Sequence, residues 1–183
     1  MTPKLIFMGG EAWTGKSTCA DLLYQRLDNS AWLDGDDVWR VNPWSLDDPR
    51  LRTSDVNMAF VLQTYLKAEF AYVILSSIVL CDAAITQRIL GMIEDVEYEL
   101  LSLTLFAAEE TLCIRAWKRD GRIDPEFMLL RQAAELDTVK VNTSGKTPGE
   151  VVSELERIVR NPIAQGLHKV NRDGIMEWKR PER

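Results

Sequence analysis

Short apolar runs and longer helical patterns alternate along the chain, the arrangement that builds βαβ units around a parallel sheet. The runs Leu5–Met8, Ala31–Leu33, Tyr72–Leu75, Leu101–Phe106 and Val139–Val141 predict five strands. Between them, stripes at helical spacing predict helices: Val56, Phe60 and Phe70 in one segment, Ile85, Ile89 and Met92 in the next, and Val151, Leu155, Ile158 and Val159 in the last. That last helix carries its own start signal, with Thr147 as cap, Pro148 at the first helical position and Glu150 completing a capping box. Beyond Asn161-Pro162 the pattern decays into a tail, 162–183, that either packs as an accessory segment or frays. The expected fold class is α/β in three layers, a five-stranded parallel sheet with helices on both faces and right-handed crossovers.

Composition narrows this picture without changing it. The chain has 183 residues, 46% hydrophobic and 27% charged, enough apolar material for one domain with a proper core. A net charge of −6 argues against general adhesion to nucleic acid or to an anionic membrane. Cys19, Cys81 and Cys113 form no C-x-x-C pair and His168 is the single histidine, so reduced thiols are expected rather than zinc or disulfides. No apolar run suits a signal peptide or a membrane span, and a cytoplasmic protein, monomer or homodimer, is the expectation.

The strongest chemical signal is Gly10-Glu11-Ala12-Trp13-Thr14-Gly15-Lys16-Ser17, a complete GxxxxGK(S/T) pattern set between a predicted strand and a predicted helix. Such a loop turns backbone N–H groups inward around phosphates, and the helix that follows points its positive end at them. Lys16 neutralises the β- and γ-phosphates, the Ser17 hydroxyl suits Mg²⁺, and Gly10 to Thr18 form the expected triphosphate-binding segment. Phosphate binding alone fits a kinase, a hydrolase or switch, or a passive nucleotide sensor. The third strand runs into Ser76-Ser77 rather than an acid, and no N-K-x-D guanine signature is present, which favours a small phosphotransferase.

The second strand ends in Asp34-Gly35-Asp36-Asp37, three carboxylates on the sheet edge where ligands sit in open α/β folds. Asp36 is the candidate to take or orient an acceptor proton and to help hold Mg²⁺, unless the acids merely decorate a turn. Trp39, Arg40, Trp44, Arg50 and Arg52 follow, a mixture suited to an anionic or ring-bearing acceptor, with Trp44 equally able to plug a gap. Ser77 faces the same edge, and Asp82 reads best as a helix cap. Between the fourth and fifth strands lie Arg115, Lys118, Arg119, Arg122 and Arg131. Guanidinium groups suit the charge on a transferring phosphoryl group, which singles out Arg119 and Arg122, while Gly121 offers a hinge. A solvated face is the plain alternative, and Lys118 fits it.

These motifs, together with Val139-Lys140-Val141-Asn142-Thr143-Ser144, resemble the P-loop small-molecule and nucleotide kinases, especially the gluconate-kinase and adenylylsulfate-kinase branch. The resemblance implies a kinase-like domain over 1–161, an arginine lid at about 113–135, and a separate tail at 162–183. It implies ATP and Mg²⁺, adenine stacking by Arg115, a base-facing loop at 142–149, and a small-molecule or nucleotide acceptor bound near Asp34, Asp37, Trp39, Arg40, Arg50 and Ser77. The adenylylsulfate-kinase turn reads D-G-D-N-V-R, so Asp37 replaces Asn and Trp39 stands where an arginine belongs. Gluconate kinases place a histidine where this chain has Trp39. Neither acceptor carries over.

Overall fold

The computed structural model describes residues 2–43, 45, 48–161, 168–170 and 176–177. Five parallel strands, β1 (Lys4–Gly9), β2 (Ser30–Asp34), β3 (Tyr72–Ser76), β4 (Tyr98–Phe106) and β5 (Val139–Asn142), lie in the order β2-β3-β1-β4-β5. The sheet extends beyond the five expected strands. β5 pairs only with Leu103–Phe106 of β4, and the antiparallel strand β6 (His168–Val170) pairs with Tyr98–Leu100, followed by β7 (Met176–Glu177). The free edge that a four-residue β5 would leave along β4 is thereby covered.

Alternation along β1 divides the core. Ile6 and Met8 face α1 (Lys16–Tyr24) and α6 (Pro148–Arg160), packing with Leu23, Val152 and Leu155. Leu5 and Phe7 face α2 (Thr53–Lys67) and α3 (Ala83–Gly91), packing with Met58, Leu62 and Ile89. These are the three layers of the predicted α/β class. α4 (Glu109–Asp120) and α5 (Leu130–Glu135) fill the β4–β5 connection.

Helix starts follow local chemistry. Thr147 Oγ1 accepts from Glu150 N while Glu150 Oε2 accepts from Thr147 N at 2.8 Å, the predicted capping box. Asp82 Oδ1 accepts from Ala84 N and Ile85 N, so it caps α3. The expected stripe on α2 is corrected. Val56 is 52% and Phe60 70% exposed, and Phe70 lies past the helix end, stacked edge-on against Tyr65. The buried stripe is Met58, Leu62 and Leu66, offset by two positions or about 200° around the helix; Val56 and Phe60 share its i, i+4 spacing, so periodicity alone does not say which face meets the sheet. Among the described residues, no helix is long and apolar enough to cross a membrane.

Candidate active site

The carboxyl ends of β1, β2 and β3 deliver three segments to one edge. From β1 the chain enters the glycine-bracketed loop. Gly10 has φ +143°, and a Cβ there would sit 2.3 Å from the Leu105 carbonyl oxygen, so only glycine lets the loop pass this close to β4. The loop is held from within: Thr14 Oγ1 donates to Glu11 O at 2.7 Å, Gly10 N donates to Cys81 Sγ at 3.2 Å, and Glu11 is buried. α1 begins at Lys16 with no side-chain cap, leaving first-turn amides directed at the loop. Lys16 Nζ donates to Glu11 O at 2.9 Å. Burial holds the Lys16 ammonium below the ordinary lysine range, and Cys81, Glu11, Asp34 and Asp36 pull it back up. Ser17 and Thr18 are exposed on the first turn.

The acidic residues divide by role. Asp34 Oδ1 accepts from Asp36 N at 3.0 Å and its Oδ2 accepts from Ser76 Oγ, which in turn accepts from Trp32 Nε1. Both Asp34 oxygens are therefore engaged in shaping the 3₁₀ turn Gly35–Val38. Gly35 is required here, because a Cβ would lie 2.5 Å from Ser77 Oγ. Ser77 itself is buried and accepts from Val79 N. Asp37 is paired to Arg40 at 2.6 Å on the surface. Asp36 is exposed and makes no side-chain hydrogen bond among the described residues. It is the acid of this turn with its carboxylate free.

Beyond the acid turn, Arg50 is chelated by Asp48 through Nε and Nη2. Arg52 (3.2 Å) and Arg88 (3.1 Å) converge on Oδ2 of Asp55, which is fully buried and whose Oδ1 has no partner among the described residues. Asn57, two residues further along α2, donates to Val38 O and ties this helix to the Asp36 turn. The Trp39 indole N–H is buried without a described partner. Trp44 lies outside the described residues.

Arg115 reaches across from α4 as a brace. Its Nη1 donates to Trp13 O, Thr14 O and Thr143 Oγ1, and its Nη2 to Thr143 O at 2.7 Å. A cavity of about 460 Å³ opens beside it, lined also by Trp13, Thr18, Cys19, Thr143 and Lys146, so the 142–149 loop does border the space next to the phosphate loop. α4 ends where Gly121, at φ +66°, terminates it in the left-handed conformation. Arg119 and Arg122 place their guanidinium carbons 5.9 and 5.7 Å from the Trp13 ring centre. Arg119 is also chelated by Asp120, whose Oδ2 accepts from Trp13 Nε1 at 2.6 Å. Lys118 is exposed at the cavity rim, and Arg131 pairs with Glu135 in solvent.

Sequence reasoning missed Asp55, Arg88 and Asp120, and it named Thr143 only as part of the 142–149 loop, not as the partner of Arg115. Arg52 and Asp55 carry an i, i+3 signal, but Arg88 and Thr143 are brought in only by tertiary contact. The residues fit Mg²⁺: Ser17 and Asp36 supply hard oxygen atoms, and no group of three acids, cysteines or histidines among the described residues forms a cage.

No family model matches the chain, and no curated protein matches it in sequence. Solved structures do resemble it. A gluconokinase from Sinorhizobium meliloti 1021 is 20% identical with a TM-score of 0.62, covering 89% of this chain and 97% of that one. The Deinococcus radiodurans tunicamycin resistance protein is 19% identical (TM-score 0.65; 87% and 96% covered). The Mycobacterium tuberculosis APS kinase, in complex with AMPPNP and APS, is 16% identical (TM-score 0.61; 87% and 99% covered). With the parallel order β2-β3-β1-β4-β5 and the phosphate loop after β1, the chain has the fold of the P-loop small-molecule kinases.

Proposed function

We propose that the protein is an ATP-dependent phosphotransferase that moves the γ-phosphoryl group of ATP to a hydroxyl or phosphate of a small metabolite or nucleotide. The observation that carries this reading is that Lys16 is held inside the loop while Asp36, in the turn at the carboxyl end of β2 on the same sheet edge, keeps its carboxylate uncommitted. A hydrolase needs only the first; a carboxylate free at the mouth serves a second molecule. The nucleotide-binding kinase among the structural neighbours supports the donor assignment.

In this reading the amides of Gly10 to Thr18 and Lys16 bind the polyphosphate, and the cavity beside Arg115 receives the base. Arg115 lines that cavity, and a guanidinium group stacks on aromatic rings. Mg²⁺, when bound, neutralises charge on the transferring group and is held by Ser17 and, directly or through water, Asp36. Asp36 accepts the acceptor proton or orients its lone pair, and Arg119 with Arg122 meets the equatorial oxygens. Arg40 and Arg50 already have carboxylate partners, whereas Arg52 and Arg88 share one, leaving a net positive charge. An acceptor bearing a carboxylate or phosphate fits that surplus.

Incubation with ATP, Mg²⁺ and a panel of phosphorylated, carboxylated and nucleoside-monophosphate metabolites should yield a product heavier by one phosphoryl group in mass spectrometry. Lys16→Ala should abolish it. Phosphate release at one rate with or without every acceptor would instead identify a hydrolase.

A further inference from the structure

Trp13 occupies the left-handed region at φ +60° inside the phosphate loop, where a glycine would rest without strain and a large side chain is disfavoured. Something must hold it there, and its contacts lie almost wholly in the β4–β5 connection. The indole N–H donates to Asp120, the ring faces the guanidinium groups of Arg119 and Arg122, and Phe127 stacks on it edge-to-face at 6.0 Å. Two residues earlier, Glu11 is 3% exposed, with Oε1 accepting from its neighbour Ala12 N at 2.8 Å. Its Oε2 accepts from Leu129 N at 2.7 Å, just before α5. The segment 120–129 is thus fastened to the phosphate loop at both ends by loop side chains.

We propose that Trp13 and Glu11 are positioning residues: they moor the arginine segment on the phosphate loop, so that the backbone that grips the phosphates also aims Arg119 and Arg122. The inference rests on the phosphotransferase reading for what those arginines meet, but the mooring stands on its own contacts. Two cations on one ring, with Asp120 between Arg119 and the indole, form a unit in which the strained Trp13 backbone is over-determined from the lid side. The Trp13 side chain sets the geometry of the third phosphate through Arg119 and Arg122, a role separate from that of its backbone amide in the loop.

Two measurements on the full chain test this. Calorimetric titration compares ADP with ATPγS, which carries the third phosphate. Trp13→Gly relieves the backbone and removes a ring that also lines the base-side cavity, so ADP affinity should fall with it, but ATPγS affinity should fall about tenfold further, which lowers the preference for ATPγS over ADP by that factor. Trp13→Phe, which keeps the ring and loses the N–H, should recover part of that preference. Hydrogen exchange should show the amides of 120–130 losing protection in Trp13→Gly, and the Leu129 amide losing it in Glu11→Ala. An unchanged preference in Trp13→Gly, or an equal loss for both nucleotides, overturns the positioning role. Unchanged exchange in both variants overturns the mooring. Should the wild-type protein bind neither nucleotide, the phosphotransferase reading falls, and the exchange data still decide the mooring.

Discussion

Arg115→Met removes a guanidinium and keeps an apolar stem of similar reach, so it isolates the brace between the phosphate loop and the segment after β5. Four hydrogen bonds are lost, to Trp13 O, Thr14 O, Thr143 Oγ1 and Thr143 O. Thr143 is 2% exposed, so its groups have little access to replacement water. Hydrogen bonds to charged groups contribute about 1.5–3 kcal/mol each, but these share one cation, and the bonds to Trp13 and Thr14 are long at 3.2 and 3.3 Å. The set is therefore worth about 3 kcal/mol in all. For a chain of this length that corresponds to a fall in Tm of about 6–12 °C. Thermal unfolding followed by circular dichroism without nucleotide reads it directly. Arg115→Lys should rescue little, because a single ammonium cannot span carbonyls on both segments. If Arg115 served only to stack on a base, the variant would lose nucleotide affinity and melt with the wild type. A Tm within about 2 °C of wild type would refute the brace.

Two further outcomes follow from the charges. Because burial lowers the Lys16 pKa and a bound phosphate would raise it again, ADP affinity is full below the free-loop pKa and declines as pH climbs through it. Titrations between about pH 7 and about pH 10 should show this decline beginning before an ordinary lysine would lose its proton, and a flat profile would remove Lys16 from the phosphate site. Asp55→Ala should destabilise by about 2–4 kcal/mol, since it strips the shared carboxylate from two arginines, whereas Arg88→Ala should cost about 1 kcal/mol because Arg52 still pairs with Asp55. Urea unfolding compares the two, and equal losses would contradict the shared-carboxylate geometry.

The five parallel strands were legible because each is an apolar run bounded by turn residues, and the hydrophobic effect acts on that pattern directly. Their ends were not. β4 begins at Tyr98 rather than Leu101, since Tyr98–Leu100 are in the sheet through pairing with β6 as well as β1, a contact more than sixty residues away in sequence. The phosphate loop was legible for the opposite reason. Its spacing encodes backbone geometry, and Gly10 is demanded by the Leu105 carbonyl whatever the neighbouring side chains are. The acid turn was legible as a cluster only: which carboxylate is free depends on Ser76 and Arg40 taking up Asp34 and Asp37.

The same logic explains why Glu11 and Trp13 were visible as motif positions and opaque in role. In a loop that holds phosphate with its own N–H groups, the intervening side chains are released from that task and can turn outward to a second one. Here both turn toward the same ten-residue stretch, Glu11 to Leu129 and Trp13 to Asp120, from positions two residues apart. A single loop distortion would move both attachments together. Coupling between phosphate seating and the placement of segment 120–129 would therefore require no long chain of intermediaries, only the stiffness of the turn from Glu11 to Trp13, and that stiffness comes from the buried Glu11 carboxylate and the Thr14 hydroxyl bond that close it.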